Sequence, residues 1–214
     1  ALLYLSPHPA AYQVRNAADV WLRTLLASLG ANPRQATLAM MLILALAIPL
    51  LRKPETPLVP RYFAWIILEA TAYSLVLFAA SFFLPPIAAE QIRAPAMAVP
   101  VAMPQGISVL EAVALSLGAG LFEEFAFRVV LVTVLLYGTR VIFSAWLSVV
   151  LSILGAAFLF SLAHYVGPFG EPLIPATFLF RWAAGLVFTL LYYSRGFAVT
   201  AYTHALYDLW VLLI

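Results

Sequence analysis

Residues 141–163 read VIFSAWLSVVLSILGAAFLFSLA, 23 positions without a charged side chain, and the run stops at His164. About 20 consecutive apolar residues let an α-helix cross the hydrocarbon core of a bilayer, and this stretch has the length and composition to do so. The rest of the chain shares its character. Only 20 of 214 residues are charged (9%), while 65% are hydrophobic. Soluble domains carry roughly 25% charge and 45–50% apolar residues. So few charges cannot cover the surface of a soluble fold. Intrinsic disorder, which needs high charge and low hydrophobicity, is excluded by the same count.

Five further apolar stretches flank this one, at 36–51, 61–84, 107–138, 174–194 and 197–214. They predict an all-α, polytopic membrane helix bundle of about six transmembrane helices. The stretch 107–138 is too long for one simple span, and Gly118 and Gly120 are candidates to kink or break it just before Glu123. Residues 85–106 contain five prolines and read as an irregular or partly re-entrant linker. Ahead of the bundle, 11–30 reads as an amphipathic helix lying in the membrane interface. Val14, Ala18, Trp21, Leu22, Leu25 and Leu29 share one face, with Arg15, Asn16, Asp19 and Arg23 opposite. The chain therefore divides into an N-terminal segment, 1–35, and a bundle, 36–214. Pro7 and Pro9 interrupt the first apolar residues, which argues against a cleavable signal peptide. Ala1 in place of Met points to a trimmed or processed start. Basic residues do not fix the orientation: with six spans, one side collects Arg52, Lys53, Arg61, Arg140 and Arg195, the other Arg15, Arg23, Arg34 and Arg93.

A net charge of +2 with scattered basic residues speaks against nucleic acid binding. The absence of cysteine removes disulfides, thiolate metal sites and cysteine nucleophiles. There is no H-E-x-x-H, G-x-S-x-G or Gly-x-Gly-Asp stretch, and the single lysine, Lys53, falls in a loop. Zincin, serine-hydrolase, Ser-Lys and aspartyl intramembrane chemistries are thereby disfavoured.

What remains are charges where apolar residues belong. Glu69, Glu111, Glu123, Glu124, Arg128, Arg181 and Asp208 fall inside candidate spans, and His164 and His204 sit at or within them. A charge at the bilayer centre costs at least ~2.5–3.5 kcal/mol on insertion scales, so such residues face the bundle interior and mark function. In GLFEEFAFR (120–128), Glu124 and Arg128 stand four apart with the acid first, the favourable order for an ion pair. Glu123 lies about 100° round the helix. It is either paired with Arg181 or another base, or a desolvated carboxylate suited to general base work. His164 follows Phe160 by one turn. His204 and Asp208 share one face of the last helix, a spacing that suits an Asp orienting an imidazole or two ligands on one metal.

Glu123-Glu124-xxx-Arg128, Phe160-xxx-His164 and His204-xxx-Asp208 together resemble the three-motif signature of the CPBP family. That family comprises the CAAX prenyl endopeptidases of the Ras-converting type and the bacterial Abi, or bacteriocin-processing, membrane proteins. The resemblance covers about 107–214, the catalytic half that it implies. It also implies an intramembrane endopeptidase in a bacterial or archaeal cell membrane, acting on a membrane-anchored peptide or protein. Carried onto this chain, Glu123 activates water, His164 assists, and His204 with Asp208 stabilises the oxyanion; Glu124 and Arg128 give structural support. In the prenyl endopeptidases the last position is typically Asn, whose amide donates a hydrogen bond. Asp208 donates only if protonated, so it either orients His204 or is kept neutral by burial. A third arrangement makes Glu123, His164, His204 and Asp208 ligands of a catalytic zinc. The metal-free glutamate mechanism, with no cofactor, is favoured over zinc. Two rival classes are a non-catalytic scaffold or immunity factor and a proton-coupled transporter. The first leaves Glu123, His164, His204 and Asp208 without a reason; the second lacks paired repeats around a midplane site. Neither the substrate's identity nor the oligomeric state is legible.

Overall fold

The computed structural model describes residues 24–32, single positions between 35 and 46, and 59–93, 108–166 and 170–214. Among these residues all regular structure is helical. In chain order the helices are α1 (Pro60–Ser81), α2 (Pro86–Arg93), α3 (Val109–Glu124), a π-helical segment (Phe125–Leu131), α4 (Val132–Arg140), α5 (Ala145–Ala163), α6 (Pro175–Arg195) and α7 (Phe197–Leu213). Three of them, α1, α5 and α6, are long and apolar enough to cross a membrane; α7, at 17 residues, is slightly shorter. Most of the stretch 36–51 and most of the amphipathic segment 11–30 lie outside the described residues. Within the latter, 24–28 is helical.

Local sequence sets the helix ends. Pro60 and Pro175 occupy first turns, where the missing N–H costs nothing. Ser108 and Glu111 form a reciprocal capping box on α3, which accounts for Glu111 as a helix-end group. Gly196, at φ +87°, takes the left-handed conformation that lets α6 stop and α7 start within one residue.

Two expectations are corrected. The 85–106 linker is not irregular throughout, since Pro86–Arg93 is an α-helix. Nor does the chain break at Gly118 or Gly120: α3 runs unbroken to Glu124. The irregularity comes immediately afterwards, as the π-helical turns of 125–131. Gly120 instead permits close packing, because a Cβ there would collide with the Ala201 carbonyl and with Ala205 on α7.

Packing follows the logic of a bilayer. Large apolar side chains point outward, as with Phe83, Val141 and Trp146 at 90%, 85% and 75% exposure. Helix contacts are lined by small residues, among them Ala112, Ala119, Ala156, Ala157, Ser148 and Ser152, all buried. Lipid is as apolar as leucine, so association rests on close backbone approach and interhelical hydrogen bonds. Helix α7 is central, touching α1, α3 and α6, while α5 packs on α6 and α4. Leu77, Phe160, Ala184, Phe188, Tyr207 and Val211 form the buried core.

Candidate active site

Each motif stands on its own helix. The acidic pair closes α3, Arg128 lies in the π-helical segment, His164 caps α5, and His204 and Asp208 lie on α7. Because Gly120 lets α3 and α7 approach, His204 is brought against both glutamates. Its Nδ1 donates to Glu124 Oε1 at 2.6 Å. Its Nε2 faces Asp208 Oδ2 at 3.6 Å and Glu123 Oε2 at 4.0 Å. Glu124 holds the imidazole, and Asp208 lies opposite the other ring nitrogen.

Glu124 in turn is held by Arg128, whose Nη1 is 3.0 Å from Oε1; the ion pair read from the sequence is present. Arg128 is 1% exposed and reaches across the bundle to the Gly185 carbonyl through Nη2 at 3.4 Å. Its guanidinium sits 4.3 Å over the Phe160 ring and 5.3 Å over Phe188. This is the stacked environment a planar, weakly hydrated cation tolerates.

His164 is positioned separately. Its Nδ1 is 2.9 Å from the Phe160 carbonyl. A carbonyl can only accept, so Nδ1 carries a proton, and in the neutral ring the lone pair is on Nε2. The Phe-x-x-x-His spacing is thereby explained as a tautomer lock one helical turn long. The Phe160 ring meets His164 edge-on at 5.2 Å and His204 at 5.8 Å, so one aromatic side chain touches both histidines. On the far side Phe188 stacks on His204 at 4.7 Å. Nothing in the sequence marked Phe188, since an apolar residue in a span carries no pattern of its own.

Glu123, Glu124, His164 and His204 are all buried, whereas 27% of the Asp208 side chain remains accessible. The cluster therefore opens to the exterior beside Asp208. Arg181 binds Glu171 through both terminal nitrogens, at 2.8 and 3.0 Å, and donates to the Tyr165 hydroxyl at 3.2 Å. Burial pushes the Tyr165 phenol above its ordinary range, against the lowering pull of Arg181. Among the described residues, no three or more His, Asp or Glu side chains are arranged to hold a metal ion. Both histidines have already committed one ring nitrogen to the protein.

The arrangement juxtaposes a buried carboxylate, a tautomer-locked imidazole and a carboxylate-held imidazole, the parts list of acid–base hydrolysis. Residues 105–210 match the family described as Type II CAAX prenyl endopeptidase Rce1-like. No curated protein matches the chain, and no solved structure does.

Proposed function

Because the chain belongs, through residues 105–210, to the Rce1-like family of type II CAAX prenyl endopeptidases, it is a peptide hydrolase of the membrane, and we propose that Glu123 is its general base. In this reading the Glu123 carboxylate takes a proton from water while the Nε2 lone pair of His164 orients that water. The water oxygen attacks the scissile carbonyl carbon. The carbonyl oxygen becomes an oxyanion, and His204 Nε2 meets it with a proton. His204 donates from both ring nitrogens only as imidazolium, and Glu124 and Asp208, both within 4.0 Å of its ring nitrogens, supply the countercharge once Glu123 has taken the proton. Collapse of the intermediate breaks the C–N bond, and Glu123 returns its proton to the leaving amine.

The observation that carries this reading is the tethering of His204 through Nδ1 to Glu124, which aims Nε2 at Glu123 and Asp208. The family's activity supports, as the substrate, a membrane-anchored peptide ending in the Cys-aliphatic-aliphatic-X pattern whose cysteine is prenylated, approaching from the accessible Asp208 side.

The test is cleavage of a farnesylated, internally quenched CAAX peptide in lipid vesicles. Glu123→Gln and His164→Ala should each lower kcat by about 10²–10⁴, the usual contribution of a positioned acid or base. Preincubation with a zinc chelator should leave the rate unchanged. Wild-type turnover in either variant overturns the assigned roles; loss of activity on chelation, restored by zinc, replaces the metal-free route with a metal-activated water.

A further inference from the structure

Beyond the reacting groups, Arg181 and Glu171 are a second, partly buried ion pair, and both ends of it touch the neighbourhood of His164. The Glu171 carboxylate grips the Arg181 guanidinium in a two-point fork. Its backbone N–H donates to the His164 carbonyl at 2.9 Å. The residue after His164, Tyr165, accepts from Arg181 through its hydroxyl and lies with its ring 5.4 Å beneath the guanidinium. One turn earlier, Ser161 Oγ donates to the Phe178 carbonyl of α6 at 2.8 Å. The residue after Glu171 is fastened as well, because Gln91 of α2 donates to the Pro172 carbonyl at 2.6 Å. His164 ends α5, where a helix frays unless its last carbonyls are satisfied.

We infer that the Arg181–Glu171 pair is a clasp that positions His164, making Arg181 and Glu171 positioning residues for the hydrolysis. An arginine within a span is costly, and a pair meant only to stabilise α6 needs no contact with Tyr165 and with the backbone carbonyl of His164. The clasp gives the His164 carbonyl the Glu171 N–H in place of a missing helical partner, so the imidazole keeps its place relative to Glu123. Arg181 does not touch the reacting atoms; it acts through Glu171 and Tyr165.

This inference rests on the role proposed for His164, so its test has one arm that needs turnover and one that does not. In the first, Glu171→Gln and Arg181→Gln are assayed in vesicles on the farnesylated CAAX peptide beside Glu123→Gln. A fall in kcat of about 100-fold, the order an ångström of misplacement costs, is expected with KM unchanged. Arg181→Lys, which keeps the charge but not the fork, should recover part of the loss seen in Arg181→Gln. In the second arm, 15N NMR of imidazole-labelled full-length protein reads His164, assigned by its loss in His164→Ala. Wild type should show one tautomer with the proton on Nδ1, and Glu171→Gln should show mixed tautomers. A folded Glu171→Gln protein with wild-type kcat, or with an unaltered His164 tautomer, overturns the clasp. Full activity in Glu123→Gln overturns the catalytic reading instead, and the NMR arm then still decides whether the clasp orders His164.

Discussion

Glu123 and Glu124 are adjacent in the chain and chemically identical, yet the fold separates their tasks. Glu124 Oε1 is shared by Arg128 and His204 Nδ1, while Glu123 approaches the opposite ring nitrogen. Glu124→Gln removes the charge that anchors His204 but keeps a carbonyl able to accept from Nδ1. It should therefore lower kcat less than Glu123→Gln does, and titration of the His204 imidazole, followed by NMR, should move in Glu124→Gln. Arg128→Ala is expected to be harsher. It strands a buried carboxylate, a change that typically costs ~3–5 kcal/mol, so the variant should melt early in detergent whether or not substrate is present. If Arg128→Ala keeps wild-type thermal stability, the pair is not the structural support proposed. The motif residues themselves were legible because charge is so scarce in these spans that each one stands out. Which glutamate holds the histidine was not legible. That depends on the rotation of α3 against α7, and no single helix encodes its phase relative to another.

Helix boundaries were readable wherever proline, glycine or a capping serine imposed them. Pro60, Pro175, Gly196 and the Ser108–Glu111 box each set an end by stereochemistry alone. The π-helical segment was not readable, because FAFRVVL has no residue that forbids the α-helix. Its position is consistent with the tendency of π-turns to occur at functional sites, and it carries Arg128. Gly120 was noticed for the wrong property, chain breaking, when its role is the absence of a side chain. Gly120→Ala should push α3 away from the Ala201 carbonyl. Overpacking of this kind costs about 1–3 kcal/mol, and here it should also widen the gap between Glu124 and His204. Gly138→Ala is the matched control, since a Cβ there meets nothing within 4 Å. The expected result is a marked loss of kcat and of thermal stability in Gly120→Ala and neither in Gly138→Ala. Equal behaviour of the two variants removes the close α3–α7 approach as the device that assembles the site.

Across the whole molecule, the seven charges found within candidate spans each acquire a structural context. Glu69 binds Arg195, Glu111 caps α3, Glu124 holds Arg128, Arg181 grips Glu171, and Glu123 and Asp208 flank His204. Several partners come from far along the chain, which is why composition announced the membrane while leaving the pairings hidden. Links also reach outside the family-matched residues 105–210, two of them to α1. Trp210 donates to Ser74 Oγ at 3.0 Å, and Arg195 binds Glu69 through Nε at 2.5 Å and Nη2 at 2.8 Å. Leu77 of α1 also packs in the core with Phe160 and Phe188, the rings that enclose His204 and Arg128. Helix α1 is therefore a wall of the bundle that holds the family-matched residues rather than an appendage. Leu77→Ala, a buried truncation of the sort that costs about 2–5 kcal/mol, should lower the melting temperature. Residues 105–214 expressed alone should cleave the farnesylated peptide poorly. Each membrane helix satisfies its own backbone hydrogen bonds, so a chain cut between helices can reassemble in the bilayer. Co-expression of 1–104 with 105–214 should accordingly restore cleavage, and Glu69→Gln in the first fragment should weaken that restoration. Full activity from 105–214 alone defeats the argument, because it makes α1 dispensable to the core that supports the two histidines.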